Sequence, residues 1–413
     1  MKTFRFKNKS INDLSSSNIS YAREHLGEPE YLLFILASTL IIIGIVFSYS
    51  LSIYTVKYQE YNDLHFFMRQ LLSGVASIAI MYWFLGANPH QVIPKLSWWF
   101  LGIFFVLIVI MPVLPSFLVT ESGGAKRWIR LPLVSISPTE FFKIGFIYLF
   151  AWSFNRKIVG RSNAMKLAEE IMMLIPYFLI FLLLAIFIVI FQKDLGQFVV
   201  LALIFISFIY LADRSKKLLY SMFFTGIGLF VAAILIAGHR TKRIGEWWAM
   251  HQENLLAVFP ESLQNELMVS GYDEPYQVGH SLNAFSNGGI FGEGIGNGFL
   301  KMGFLSEVHT DFVLAGISEE IGIVGIVFIV FLLFVLSMNI LKIANRVDTV
   351  YSFFCVGVFV MIMGAFFINI FGVTGSIPIK GIAVPFLSYG GSSVISTSIA
   401  IGMVISISRL AKR

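Results

Sequence analysis

The sequence predicts an all-α integral membrane protein of about ten transmembrane helices, with both termini cytoplasmic and one large extracytoplasmic loop between helices seven and eight. Four observations lead there. Of 413 residues, 57% are apolar and only 13% charged, which is not the balance of a water-soluble globule. Apolar stretches of roughly 18 to 25 residues recur between short polar breaks, each long enough as a helix to cross a ~30 Å hydrocarbon layer. The alternation of a membrane β-barrel is absent, so helices must satisfy the backbone inside lipid. Finally, with the N-terminus inside, about 18 basic residues fall on the cytoplasmic side and about 10 outside, in the sense of the positive-inside bias.

Residues 1–28 are polar and read as a cytoplasmic tail, because the first apolar run is too long and too late for a cleaved leader. The membrane domain, 29–413, opens with spans from Tyr31 to Ile53, His65 to Leu85 and Leu96 to Leu118. The outer loop from Val119 to Ser137 carries Lys126, Arg127, Trp128 and Arg130 against the positive-inside bias. Such cations either hold an anionic diphosphate or headgroup or pack against the long loop. The fourth span, Pro138 to Phe154, begins with a proline suited to a first helical turn and places Glu140 and Lys143 at i, i+3, a self-neutralising structural pair. Spans five and six, Ile171 to Phe191 and Leu195 to Ala212, meet at Asp194 beside Gly196, where broken backbone is expected to line a cavity. The seventh span runs from Leu218 to Gly238.

The loop 238–311 stands out among short connections and is the natural place for chemistry. It begins with Arg240, Lys242 and Arg243 beside Trp247 and Trp248, either an interfacial anchor or cations for an anionic lipid headgroup. Its glycine-dense stretch from Gly288 to Gly298 lacks GxGxxG or P-loop spacing, and serves either tight turns of a re-entrant segment or close backbone approach to phosphate. The loop closes on Ser306-Glu307-Val308-His309-Thr310-Asp311-Phe312. An acid at the mouth of a span is partly desolvated, which raises its pKa toward that of a proton acceptor; a helix cap or surface charge is the plainer reading. Glu319 and Glu320 lie two turns into the eighth span, Phe312 to Leu341; carboxylates so placed are costly and by default functional, or else simply pair with a buried cation such as Lys143 or Arg69. The ninth span, Tyr351 to Gly372, holds the single cysteine, Cys355, as core filler. Ahead of the tenth, Gly391 to Ile407, Lys380 sits among Pro378, Gly381 and Pro385, a second candidate for broken backbone. The net charge of +6 is a topology signal and not a nucleic-acid footprint.

Taken together, these segments resemble the SEDS family of bacterial cell-wall glycosyltransferases. The resemblance rests on Gly124-Ala125-Lys126-Arg127-Trp128-Ile129, Pro138 with Glu140 and Lys143, Asp194-Leu195-Gly196, and the Gly288 to Asn297 stretch. It continues through His309-Thr310-Asp311-Phe312 with Glu319-Glu320-Ile321-Gly322, and Lys380-Gly381 to Ser388-Tyr389-Gly390-Gly391-Ser392-Ser393, so that it covers roughly Tyr31 to Leu410. Lys380 before Gly381 is similar to the division branch of the family more than to the elongation branch. Three departures touch local loop shape and remove no catalytic group: Ser137-Pro138-Thr139-Glu140 in place of Gln-Pro-Ser-Glu, Lys193 for a proline before Asp194, and Ser306 for a proline before Glu307.

The resemblance implies polymerisation of lipid II, the undecaprenyl-diphosphate-linked disaccharide pentapeptide, on the outer face of the cytoplasmic membrane, at the division septum for this branch. It implies Asp311 as general base, with Lys126, Arg127, Arg243, Lys380, His309 and Ser392 toward the substrate, and Glu140, Lys143, Asp194 and Glu319 as structural ion-pairing groups. A divalent cation, Mg or Mn, could share the charge, although the sequence shows no dedicated metal cage. Implied partners are a class B penicillin-binding protein, other divisome proteins and membrane lipids. Two other classes use the same helices. A lipid flippase needs matched polar elements on both faces, whereas these concentrate on the outer one; a non-catalytic scaffold makes Asp311 dispensable.

Overall fold

The computed structural model describes residues 27–411 apart from 59, 116, 123–124, 131–134, 160–166, 213–216, 219, 222–223, 227, 229–237, 274 and 379–380. Its first three helices are α1 (Tyr31–Tyr58), α2 (His65–Gly86) and α3 (Pro89–Ile110), the last running into a 3-10 turn at Met111–Val113. The chain enters α3 earlier than the predicted Leu96, because the Asn88 side chain accepts from the His90 amide at 3.1 Å and Pro89 fits the first turn. Where an irregular outer loop was expected there is a small antiparallel sheet: β1 (Val119–Ser122), β2 (Ala125–Arg130) and β3 (Ser135–Ile136), with β2 central. Val119 pairs with Ile129, which in turn pairs with Ile136.

Helix α4 (Pro138–Lys157) follows, then α5 (Leu167–Ala185), which widens into a π turn at Ile186–Phe191, then α6 (Leu195–Leu211). The predicted seventh span, Leu218 to Gly238, lies mostly outside the described residues. The long loop is more ordered than its polar sequence suggested: it contains α7 (Gly238–Leu256), α8 (Glu261–Leu267) and α9 (Tyr276–Gly288). The chain ends with α10 (Val313–Ala344), α11 (Thr349–Val373) and α12 (Gly391–Ser408). Among the described residues seven helices are long and apolar enough to cross a membrane: α1, α2, α3 with its 3-10 turn, α5 with its π turn, α10, α11 and α12. Helices α4 and α6 occupy two further predicted spans; α6 has only 17 residues because Asp194 caps its start.

Helices α4, α11 and α12 form the inside of the bundle. The apolar window of α12 is 83% buried, against 17% for α3, so α3 is a lipid-facing rim and α12 a protein core. Along α4, Phe142, Phe146, Phe150 and Phe154 recur at i, i+4 on one face, with Phe146 and Phe150 centroids 4.2 Å apart. Phe154 at the end of that row meets Phe205, Phe208 and Phe353 from α6 and α11. On another face Gly145 lets α3 come close: a Cβ there would stand 2.5 Å from the Leu101 amide nitrogen.

One helix is not continuous. At Gly322, φ is 67° and ψ −174°, so α10 breaks nine residues after it starts. The segment Val313 to Glu320 before the break is buried throughout, while Ile323, Val324, Val327, Phe328 and Phe331 after it are 49–59% exposed. The break therefore separates a half wrapped in protein from a half that presents an apolar stripe to lipid.

Candidate active site at the mouth of helix α10

The glycine-dense stretch is docked on the break in α10. Glu293 and Gly294 amides donate to the Glu319 and Glu320 carbonyls, both at 2.9 Å, and the Ile323 and Val324 amides donate to the Gly289 and Ile290 carbonyls at 3.0 and 3.2 Å. Four backbone groups freed by the break are thus repaired by the loop. Glycine is needed because the chains touch: a Cβ on Gly288 would collide with the Ser318 carbonyl, and one on Gly292 with that of Glu320. The structure supports turns and close packing for this stretch, since these amides are already bonded within the protein.

Two carboxylates secure the same junction. Glu319 accepts from the Phe299 and Leu300 amides at 2.9 and 3.0 Å. Glu320 forms an ion pair with Lys301, both side chains fully buried, and Ser50 of α1 bonds to both. The expected partners were Lys143 or Arg69. Instead Lys143 is held by Glu140 at 2.8 Å and Gln197 at 2.8 Å, and Arg69 lies beside the Tyr389 hydroxyl. Lys301 fills the role because the loop itself carries a cation down to the helix break.

Beyond Lys301 the chain climbs to a turn at Glu307–Phe312, closed by the Thr310 and Phe312 amides donating to the Glu307 carbonyl. The backbone carbonyls of residues 309 to 311 are tied to the segment before α12 or to α11. The Tyr389 amide donates to His309 O at 2.8 Å, Ser388 Oγ to Thr310 O at 2.7 Å, and Asn369 Nδ2 to Asp311 O at 2.7 Å. The Asp311 side chain lies half-buried against Gly381, where a Cβ would stand 2.5 Å from its Oδ2. Burial pushes the Asp311 carboxyl up to about 6; Glu307 and Asp194 add to the rise, while Arg127 and Arg243 oppose it. Five charged groups from four parts of the chain therefore act on one another at this mouth.

The remaining cations divide. Arg127 on β2 forks onto the backbone before α6, donating to Gln192 O at 3.2 Å and Lys193 O at 2.7 Å, with Asp194 Oδ2 at 3.7 Å. Lys193 reaches this geometry at φ 52°, a conformation closed to the proline that the family resemblance expects there. Asp194 caps α6 by accepting from the Gln197 amide at 3.1 Å, and burial raises its carboxyl against the pull of Arg127. Gln197 in turn bonds Glu140 at 2.6 Å and Lys143, while Thr139 bonds Gln192 at 2.9 Å. The Glu140–Lys143 pair forms at 2.8 Å, as its spacing predicts, and joins through Gln197 the first turn of α6 beside the carbonyls that Arg127 grips.

Lys126, His309 and Ser392, expected toward the substrate, are bonded or buried within the protein. Lys126 donates to the Pro112 and Leu114 carbonyls at 3.1 and 2.9 Å, closing the end of α3. His309 is 5% exposed, packed between Phe66 and Tyr389 with ring centroids at 4.8 and 5.6 Å, and burial lowers its pKa so that it stays neutral. Ser392 is 5% exposed in the first turn of α12. Lys380 lies outside the described residues. Arg243 is exposed on α7 and borders a cavity of about 430 Å³ with Lys242, Glu246, Tyr272, Asp273 and Gln277.

Sequence reasoning passed over Asn369, Gln192, Gln197 and Lys301. The first three had a signal, a lone amide in or beside an apolar stretch; Lys301 had none, because hydropathy does not report the depth of a loop residue.

Fold and site together define a multi-pass membrane protein whose charged groups gather around one carboxylate at the mouth of a helix. The sequence model of the FtsW, RodA and SpoVE family, described as cell cycle protein, matches residues 30–413. A probable peptidoglycan glycosyltransferase FtsW of Helicobacter pylori (strain ATCC 700392 / 26695) is 44% identical over 382 residues, covering 92% of this chain and 98% of that protein. Another so named, from Trichlorobacter lovleyi, is 30% identical over 387 residues, 93% of this chain and 94% of that one. The rod shape determining protein RodA of Thermus thermophilus has a similar fold, with a TM-score of 0.61 at 19% identity over 93% of this chain and 98% of that chain. A chain solved under the description of a peptidoglycan synthase complex coordinating polymerization and crosslinking gives 0.65 at 19% identity, over 92% and 98%. The chain belongs to the FtsW/RodA/SpoVE family, the SEDS proteins.

Proposed function

We propose that this protein polymerises lipid II into glycan strands on the outer face of the bacterial cytoplasmic membrane, in the service of cell division. The observation that carries the reading is the Asp311 carboxyl, held near 6 at the mouth of α10 within the field of Arg127 and Arg243. A base with that pKa is ionised at neutral pH yet strong enough to accept a proton. Asp311 takes the proton from the acceptor GlcNAc 4-hydroxyl as its oxygen attacks the donor MurNAc anomeric carbon. The C–O bond to the diphosphate breaks, undecaprenyl diphosphate leaves with the electron pair, and the anomeric carbon inverts. Arg127, already fixed by two carbonyls, and Arg243 stabilise the charge that builds on the leaving group. Lys380 adds to them from the residue before Gly381; His309 and Ser392 serve by shaping the turn.

In this reading ten helices cross the bilayer, Leu218 to Gly238 supplies the seventh crossing, and both termini are cytoplasmic. A class B penicillin-binding protein cross-links the product strand, other divisome proteins set the septal location, and any divalent cation arrives with the diphosphate. Support for the division branch comes from relatives named FtsW that align over nearly their whole length. The test is polymerisation by purified protein, with its transpeptidase partner if required, resolved by glycan length. Wild type should yield polymer, and folded Asp311→Asn and Asp311→Ala none. Full-length glycan from Asp311→Ala would overturn the assignment.

A further inference from the structure

Asn369 lies on α11 within an apolar span and is 1% exposed. Its side-chain nitrogen donates to two carbonyls, Asp311 O and Ile382 O, both at 2.7 Å. Both partners are acceptors, so the amide must turn its nitrogen toward them, and its two N–H groups serve one carbonyl each. The Asn369 oxygen is buried without a hydrogen-bond partner. The amide is therefore held by what it donates, at the cost of an unsatisfied acceptor in the core. The two carbonyls belong to chain segments far apart in sequence, the turn that carries Asp311 and the stretch that follows residue 380. Where those segments meet, the backbone at Gly381 lies against the Asp311 carboxylate, close enough that a Cβ would stand 2.5 Å from Oδ2. The Ser388 and Tyr389 bonds reach residues 310 and 309, so among the described residues Asn369 is the side chain seen to hold the backbone of residue 311 itself.

We propose that Asn369 is a positioning residue for polymerisation: by stapling Asp311 O to Ile382 O, it holds the Gly381 backbone over one side of the Asp311 carboxylate and fixes the side from which an acceptor hydroxyl arrives. The inference rests on the reading of Asp311 as the general base. An apolar residue at 369 would leave two buried carbonyls without donors, and the two segments would part to let water reach them. Water at the covered side of Asp311 then lowers the cost of its charge. The groups facing that carboxylate, Glu307 on the same turn, Arg127 on β2, Asp194 before α6 and Arg243 on α7, keep their places, since none of them bonds to Asn369.

The experiment measures polymerisation from lipid II across pH 5 to 8, per folded molecule, for wild type, Asn369→Ala, Gly381→Ala, the double variant and Asp311→Ala. Asn369→Ala should lower kcat by on the order of 10- to 100-fold, as misplacement of a reacting group does, with a much smaller change in KM. Its acid limb should move to lower pH. Gly381→Ala displaces the carboxylate from the other side of the same contact, so the double variant should be no slower than the worse single. A merely structural role would lower the folded yield and leave the limb of the folded fraction in place; that result overturns the proposal, as does a wild-type rate and profile. If Asn369→Ala does not fold, an unmoved limb in Gly381→Ala overturns it. Activity of Asp311→Ala would instead fail the base reading, whereas an inactive Asp311→Ala beside an unaltered Asn369→Ala fails the staple alone.

Discussion

Replacing Lys301 with methionine keeps most of its volume and removes its charge, leaving Glu320 buried with only the Ser50 hydroxyl beside it. Both members of the pair are 0% exposed, so solvent screening offers no relief. Removing one partner of a buried pair costs about 3–5 kcal/mol, because the cost is that of the stranded charge. Removing both charges is far cheaper, since a buried pair is offset by its own desolvation. Lys301→Met should therefore destabilise the protein by about 3 kcal/mol or more, and Lys301→Met with Glu320→Leu by distinctly less, although Ser50 then loses its partners. The four proteins of this cycle can be compared by equilibrium unfolding in mixed micelles with increasing SDS. Additive losses in the double variant, or a loss below about 1 kcal/mol for Lys301→Met, would refute a charge-paired latch at the helix break.

Three further outcomes follow from the same region. The Asp311 carboxyl is raised to about 6 and, as the proposed base, acts only when ionised, so the polymerisation rate should fall as pH drops through that value; a limb centred near the ordinary carboxylate pKa of about 4 would contradict it. The sign for stability is opposite: between those two values the unfolded chain ionises first, so ionisation disfavours the fold as pH rises, and Asp311→Asn should gain stability over wild type at neutral pH but not below pH 4. Gly322→Ala places a Cβ on the Ile290 carbonyl at φ 67°, and should cost at least about 1 kcal/mol and slow polymerisation together, read by heat inactivation and by glycan yield.

Periodicity and hydropathy located helices wherever apolar residues run long, and the i, i+3 spacing of Glu140 and Lys143 was enough to read them as a pair. What stayed hidden depends on depth and on long-range pairing. Hydropathy averages over the break at Gly322, because a glycine among Ile and Val does not lower the mean. The polar run from Gly238 to Leu256 reads as loop, yet it folds as a helix whose Trp247 indole donates to Gly375 O at 2.7 Å and whose Trp248 indole donates to Leu267 O. Lys126 and Arg127 are adjacent and read alike, but alternate side chains of a strand face opposite ways, sending one to the end of α3 and the other to the start of α6. The place of Asp311 at the mouth of a span was legible, and with it the burial that raises its carboxyl. The amides that hold the site were not, since Asn369 and Gln197 become meaningful only once their partners, 58 and 57 residues away, are brought beside them.

The weld between the glycine-dense loop and α10 changes what counts as one rigid part. Because the loop's hydrogen bonds bridge the break, and Glu319 and Glu320 bolt it down on the near side, the stub from Val313 to Ile321 shares its frame with the loop. The lipid-facing shaft beyond Gly322 is tied to the same loop, since its Ile323 and Val324 amides bond the Gly289 and Ile290 carbonyls. One loop thus keeps in register two helical pieces that no continuous backbone hydrogen-bond ladder joins, and the piece before the break leads directly from the turn bearing Asp311.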